Sequence, residues 1–221
     1  MEPPKWQGRI AFEKSHAVFD GSTGDNRFHS HIAAQVVVGA FCSIELSDGT
    51  ALHGRGIFIQ PHVRHRLLPT SKVRVYLIEP ASKPGRALLS VMPSVDAAVM
   101  QDGQALVDEL LRAEEVDPTD HRLQQAMECL SGDHAFGWSI TRLAGEVGLS
   151  PARLRAIADR ELGMPLSRWR RWAAIRRACI AMVDGQTPTQ AAHLAGFSDQ
   201  AHLTRTMRAM LGITPLAIAR A

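Results

Sequence analysis

The feature that most constrains this chain is a duplicated helical pattern in its C-terminal part. Residues 139–148, SITRLAGEVG, read as a short helix ending at Gly148. Leu149 follows, and Ser150-Pro151 restarts a helix that runs to about Leu162 and stops at Gly163. Serine is a good N-cap, and proline suits the first helical position. The same sentence of residues then recurs. Thr187-Pro188 starts a short helix ending at Gly196, Phe197 follows, and Ser198 caps a longer helix that stops at Gly212. Gly163-Met164-Pro165 closes the first copy, and Gly212-Ile213-Thr214-Pro215 closes the second. The corner glycine permits a left-handed backbone, and the apolar residue after it plugs the angle between the helices. That is the physical recipe for a helix-turn-helix. Between the copies, Pro165 opens a long helix, LSRWRRWAAIRRACIAMVDG, ended by Gly185. Trp169, Trp172, Ile175, Cys179 and Ile180 supply its apolar face. A helix wedged between two subdomains needs such a face, so both tryptophans read as core. Upstream, residues 121–130 place Leu123, Met127 and Leu130 on one helical face.

The first part of the chain has a different texture. Residues 36–46, 56–60 and 73–79 are β-branched or aromatic runs, separated by turn clusters at 47–49 and 68–72. Several short strands of this kind suggest a sandwich or barrel. The cluster at 81–86 ends this region. Residues 94–115 read as helical, with Ser94 as N-cap, Val95, Val99, Leu106, Leu110 and Leu111 on one face, and Gly103 as a point of division. EEVDPTD at 114–120 is the best linker. The expected fold is α+β in two domains: a small β-barrel over residues 1–90, a helical linker over 91–119, and an all-helical domain over 120–221.

Charge follows the same division. The net charge of +3 splits into −1 for residues 1–116, with 12 basic and 13 acidic residues, and +4 for residues 117–221, with 13 basic and 9 acidic. Every basic residue of the second part is arginine, whose planar fork suits phosphate and guanine edges. A solvated helical surface uses arginine too, so charge alone does not decide for nucleic acid. No stretch approaches the roughly 20 apolar residues of a membrane span, and the N-terminus shows no apolar run of a secretory signal. Cys42, Cys129 and Cys179 are odd in number and widely spaced, which fits a reducing cytoplasm and buried filler rather than a disulfide framework.

In the second copy, Ala191-Ala192-His193-Leu194-Ala195-Gly196-Phe197, then Leu203-Thr204-Arg205-Thr206-Met207-Arg208, then Gly212-Ile213-Thr214-Pro215 resembles the second helix-turn-helix unit of the AraC family of transcription regulators. Leu203 and Met207 stand where that pattern has aromatics, but they keep the apolar spacing. The resemblance covers about residues 120–221 and implies two helix-turn-helix units joined by one long helix. It further implies a cytoplasmic regulator rather than an enzyme, with double-stranded DNA, a small-molecule effector, a second copy of the chain and RNA polymerase as partners. The second helix of each unit then enters the major groove. On the first unit's second helix, Ala152, Arg153, Arg155 and Ala156 flank the apolar Leu154 and Ile157, with Arg155 the preferred base reader. The resemblance puts base-contacting positions on Ala152 and Ala156, and matching positions in the second unit at Gln200, Ala201, His202 and Arg205. Arg suits guanine and Gln suits adenine, whereas Ala152 and Ala156 are too small to do more than touch a thymine methyl. Some arginines of the long helix, among Arg168, Arg170, Arg171, Arg176 and Arg177, are candidates for phosphate contacts.

The N-terminal part resembles that family's cupin-like effector domain. His29-Ser30-His31-Ile32-Ala33-Ala34-Gln35 is similar to a cupin His-x-His-x-x-x-(Glu/Gln) strand, and Gly56 through His65 to its partner segment. His29 and His31 then project to one face of a strand, with Gln35 and His65 beside them. In metal-binding cupins these positions hold a divalent ion, although Gln is a weaker ligand than the carboxylate it replaces. Three readings stand open: a divalent metal site, an effector pocket without metal, and structural histidines. A cupin-type metal-binding enzyme or sensor with an accessory helical domain is the alternative to the regulator.

Overall fold

The computed structural model describes residues 6–13, 15–24, 26–92, 94–112, 120–132, 138–162 and 164–218. Gly163 and all but the last residue of the 114–120 linker lie outside the described residues. The N-terminal part is an antiparallel sheet of β1 (Gln7–Phe12), β2 (His16–Thr23), β3 (Ala34–Leu46), β4 (Ala51–Ile59), β5 (His65–Leu67), β6 (Thr70–Ile78) and β7 (Ala97–Met100). The strands run β1-β2-β6-β3-β4-β7, with β5 paired to β3. The first half of β3 pairs with β6 and its end pairs with β5, while β4 follows both halves. A register shift between Val38 and Cys42 bends the long strand where it changes partner.

Because side chains alternate along a strand, β3 feeds two apolar layers. Val37 and Ile44 join Phe19, Ile57, Ile59 and Val75 on one face. Val36 joins Phe58, Tyr76, Ile78, Leu88, Met100 and Val107 on the other. The second layer is closed by α1 (Lys83–Val91) and α2 (Gly103–Arg112).

Two local expectations are corrected here. Residues 97–100 are strand rather than helix: Ala97–Met100 pairs with Gly56–Ile59 of β4. Val95 and Val99 are exposed instead of sharing an apolar face, so their helical spacing was incidental. The ladder hydrogen bonds along the β4 edge decided the matter, and helix resumes only at Gly103. Conversely, α1 forms just where the β region was expected to end. Ser82 caps it by accepting from the Gly85 N–H, and Pro84 sits in the first turn.

The C-terminal part comprises α3 (His121–Ser131), α4 (Ile140–Glu146), α5 (Pro151–Leu162), α6 (Leu166–Val183), α7 (Pro188–Ala195), α8 (Gln200–Leu211) and α9 (Pro215–Ile218). The two units, α4–α5 and α7–α8, have the expected corners: Gly148 (φ 65°) and Gly196 (φ 83°) are both left-handed. Thr187 and Gln190 make a reciprocal capping box at the start of α7. The cap of α8 is Asp199, which accepts from the His202 N–H at 2.6 Å, rather than Ser198. Aspartate caps as well as serine, and Ser198 turns its hydroxyl to Asp199 and His202 instead. Trp169 and Trp172 are buried in the helical core, as their stripe predicts. That core does not stop at the domain boundary: Ile32, Ala33 and Ala81 of the sheet part belong to the same cluster.

Candidate functional site

Each helix-turn-helix unit buries one face of its second helix and leaves the other to solvent. On α5, Leu154, Ile157, Ala158 and Leu162 are buried, while Ala152, Arg153, Arg155 and Ala156 are exposed. On α8, Leu203, Met207 and Met210 are buried, while Gln200, Ala201, His202 and Arg205 are exposed. The apolar 3–4 spacing fixes this division, because it leaves only the intervening positions to face outward. Two side chains on α8 are already oriented. Gln200 Oε1 accepts from Thr189 Oγ1 at 2.9 Å, and the His202 ring stands edge-on to Phe197 with Nδ1 3.2 Å from Ser198 Oγ.

The arginines of α6 fall into two groups. Arg170 and Arg171 are exposed. Arg176 donates to the Glu13 carbonyl, and Arg177 donates to the Leu130 and Ala195 carbonyls. Those two guanidinium groups tie α6 to its surroundings and do not point to a phosphate track.

The structure brings the four N-terminal candidates together. His29 and His65 exchange backbone hydrogen bonds as an isolated bridge, at 2.9 and 3.0 Å. The expected His-x-His strand does not form, since β3 begins only at Ala34; the bridge makes the histidines converge instead. The three rings lie 4.5 to 5.5 Å apart by their centres. Each Nδ1 faces a backbone carbonyl: Arg27 for His29 (2.8 Å), Ala33 for His31 (2.9 Å) and Val63 for His65 (3.0 Å). A carbonyl can only accept, so Nδ1 carries the hydrogen in all three rings and Nε2 keeps its lone pair. His31 Nε2 and His65 Nε2 lie 2.8 and 3.2 Å from the side-chain amide of Gln35. All four residues are buried, and burial pushes the three imidazoles down: His65 to about 3, His29 well below its ordinary value, and His31 below it. The rings are therefore neutral at pH 7.

That chemistry admits two arrangements. With Gln35 Oε1 toward the rings, three acceptors face one another and the buried Gln35 Nε2 has no partner. Turning the amide over lets its NH2 donate to both Nε2 atoms, which satisfies the cluster without an ion. With Oε1 inward, the group is a ligand set of three imidazole nitrogens and one carbonyl oxygen. One ring nitrogen from each histidine lies within 4.8 Å of the others. Ligating histidines commonly donate their other N–H to a carbonyl, as these do. The donor set thus fits a divalent transition ion, with Gln35 as a neutral fourth ligand.

Beside the triad is an apolar cavity of about 80 Å³ between the sheet and the helices. Its walls include Trp6, Phe12 and Phe19 on one side and Trp172, Ile175 and Ile213 on the other. Trp172 stands 6.0 Å from His31, centre to centre. The helical wall and the buried Asn26 at its edge were not foreseen, because no periodicity reports how two domains pack. Cys42 and Cys179 are buried, and burial holds their thiols at about 11 and about 12, as suits filler.

Residues 143–221 match a protein-family model described as a helix-turn-helix domain. No curated protein sequence matches the chain. Among solved structures, ToxT from Vibrio cholerae O395 is similar over 95% of this chain and 100% of that chain, at 12% identity and a TM-score of 0.56. Wild-type ToxT from Vibrio cholerae strain SCE256, described as bound to unsaturated fatty acid, is similar over 93% and 95%, at 10% identity and a TM-score of 0.54. The C-terminal part is thus a helix-turn-helix domain. The whole chain has the ToxT-like fold in which such a domain follows a sheet domain. No helix among the described residues is long and apolar enough to cross a membrane.

Proposed function

We propose that this chain is a transcription regulator that binds double-stranded DNA through α5 and α8 and is controlled by a small molecule received at the sheet domain. One observation carries the reading: two helix-turn-helix units in register, each presenting its second helix with the base-facing positions exposed. Arg155 and Arg205 read guanine, Gln200 and His202 add polar contacts, Arg153 contacts the backbone, and Ala152, Ala156 and Ala201 permit close approach. Residues 1–90, together with β7 and α2 of the expected 91–119 linker, which pack onto the sheet, sense and pair with a second copy, and 120–221 bind DNA and meet RNA polymerase. The chain acts in the cytoplasm and is not an enzyme.

The effector site is the apolar cavity, with His29, His31 and Gln35 at its polar end and His65 set against Gln35 outside its lining. The fatty acid held by ToxT makes an apolar body with a polar head a reasonable effector class. At about 80 Å³ the cavity is far below the roughly 300–1,000 Å³ of organic-ligand sites, so such a molecule enters only by shifting sheet against helices. Incubating the full chain with a random-sequence duplex pool and sequencing the retarded fraction tests the DNA reading. Convergence on one motif is expected; a retained pool that stays random contradicts it. A second reading, a metal-responsive regulator, is favoured by the three tied-off Nδ1–H groups. Zinc added to chelator-treated protein then raises the melting temperature, and His31→Ala removes that rise.

A further inference from the structure

The C-terminal end of α8 is capped by the sheet domain. A helix end leaves its last carbonyls without intrahelical partners. Here Ala209 O accepts from the Ser30 N–H (3.4 Å), Leu211 O from Asn26 Nδ2 (3.2 Å), and Gly212 O from the Arg27 N–H (3.1 Å). All three donors come from the segment that carries His29. Asn26 is 5% exposed and works from both ends of its amide: Oδ1 accepts from the Leu67 N–H of β5 at 3.2 Å while Nδ2 holds α8. The strand it grips is the one that begins with His65.

The fit is close. Gly212 is left-handed at φ 71°, and a Cβ there would stand 2.6 Å from Arg27 O and His29 Nδ1 and 2.8 Å from Asn26 Nδ2. The same corner lines the cavity through Leu211 and Ile213, opposite Asn26 and His29. Hydrogen bonds cross from the sheet domain to α6 and to this α8 corner. The two recognition helices are thus tied to the sheet domain unequally.

We propose that Asn26 is a positioning residue for α8, and that the 26–30 segment is the part through which the histidine pocket acts on DNA recognition by the second unit. The inference rests on the DNA-binding reading above. Whatever enlarges the cavity displaces either the segment or the corner it caps, and the orientation of α8 changes with it. Recognition by α5 stays as it is. The coupling is reciprocal, so DNA seated on α8 also alters the pocket.

The experiment uses the full chain and a duplex that the wild type selects from a random pool. Dissociation constants are measured for Asn26→Ala, for an α8 variant (Gln200→Ala with Arg205→Ala), for an α5 variant (Arg155→Ala), and for Asn26→Ala combined with each. Asn26→Ala is expected to shift affinity by about fivefold or more. Its effect departs from multiplicativity with the α8 variant by about threefold or more, and stays multiplicative within about twofold with Arg155→Ala. Gly212→Ala breaks the same contact from the other side and gives the same pattern. If Asn26→Ala does not fold, Asn26→Asp keeps the acceptor for the Leu67 N–H, loses the donor to Leu211, and replaces it. Equal coupling to both helices, or to neither, overturns the proposal while leaving DNA binding intact. Failure of the wild type to select any duplex overturns the DNA-binding reading, and this one with it.

Discussion

Acid should destabilise this protein through its histidine triad, and replacing one ring should remove a calculable share of the loss. In the unfolded chain an imidazole titrates near 6.5, whereas burial holds the His65 ring at about 3 and lowers His29 and His31 as well. A group with a depressed folded value stabilises the fold fully above the unfolded value. That stability is lost as the pH falls from 6.5 toward about 3, because the unfolded chain takes up protons that the folded one refuses. At ~1.4 kcal/mol per pH unit per proton, His65 alone accounts for a loss of about 2 kcal/mol between pH 7 and pH 5. His65→Asn removes the titrating ring while retaining a donor for the Val63 carbonyl. Urea unfolding followed by tryptophan fluorescence at pH 7, 6 and 5 measures the difference. The variant is less stable than wild type at pH 7, but loses about 2 kcal/mol less on going to pH 5. Parallel pH profiles for the two proteins would show that the ring is not buried neutral, and would refute the account of the triad.

Three further outcomes follow. Gly196→Val forces a β-branched residue into a left-handed corner and lowers stability by ~1–3 kcal/mol, seen as a lower melting midpoint; an unchanged midpoint places the turn elsewhere. Arg205→Ala costs on the order of 1–3 kcal/mol at one base position of the selected site and little on random duplex; a uniform loss reassigns the side chain to phosphate. Palmitoleate, as a probe with an apolar body and a carboxylate head, raises the melting temperature of the wild type and not of His31→Ala; equal shifts in both proteins would move the effector site away from the triad.

What was legible in the sequence depended on how local the cause was. The corners at Gly148 and Gly196 were readable because one residue's backbone angle decides them. The exposed faces of α5 and α8 were readable because spacing decides them. The convergence of His29, His31, Gln35 and His65 was visible in the spacing of a familiar motif, although a bridge rather than a strand produces it. Residues 97–100 misled because Val95 and Val99 have helical spacing, while the pairing partner that made them a strand lies in β4. The α1 helix escaped although Ser82 and Pro84 carry the same start signal that was read correctly at Ser150 and Pro151. Which of the α6 arginines are held by carbonyls was not legible, because sequence cannot show that Glu13, Leu130 and Ala195 lie beside Arg176 and Arg177. Asn26 gave no signal at all, since its role exists only where two domains meet.

The central claim is that α5 and α8 together hold DNA, and the salt dependence of binding tests it most directly. The full chain is titrated onto its selected duplex between about 50 and 300 mM salt, a range over which phosphate neutralisation shows as a log–log slope of roughly −0.9 per contact. Two recognition helices on one duplex predict a slope of about −4 or steeper, relaxed when Arg153→Ala removes a backbone-facing charge from α5. A slope near zero, or one that Arg153→Ala leaves unchanged, would contradict the account.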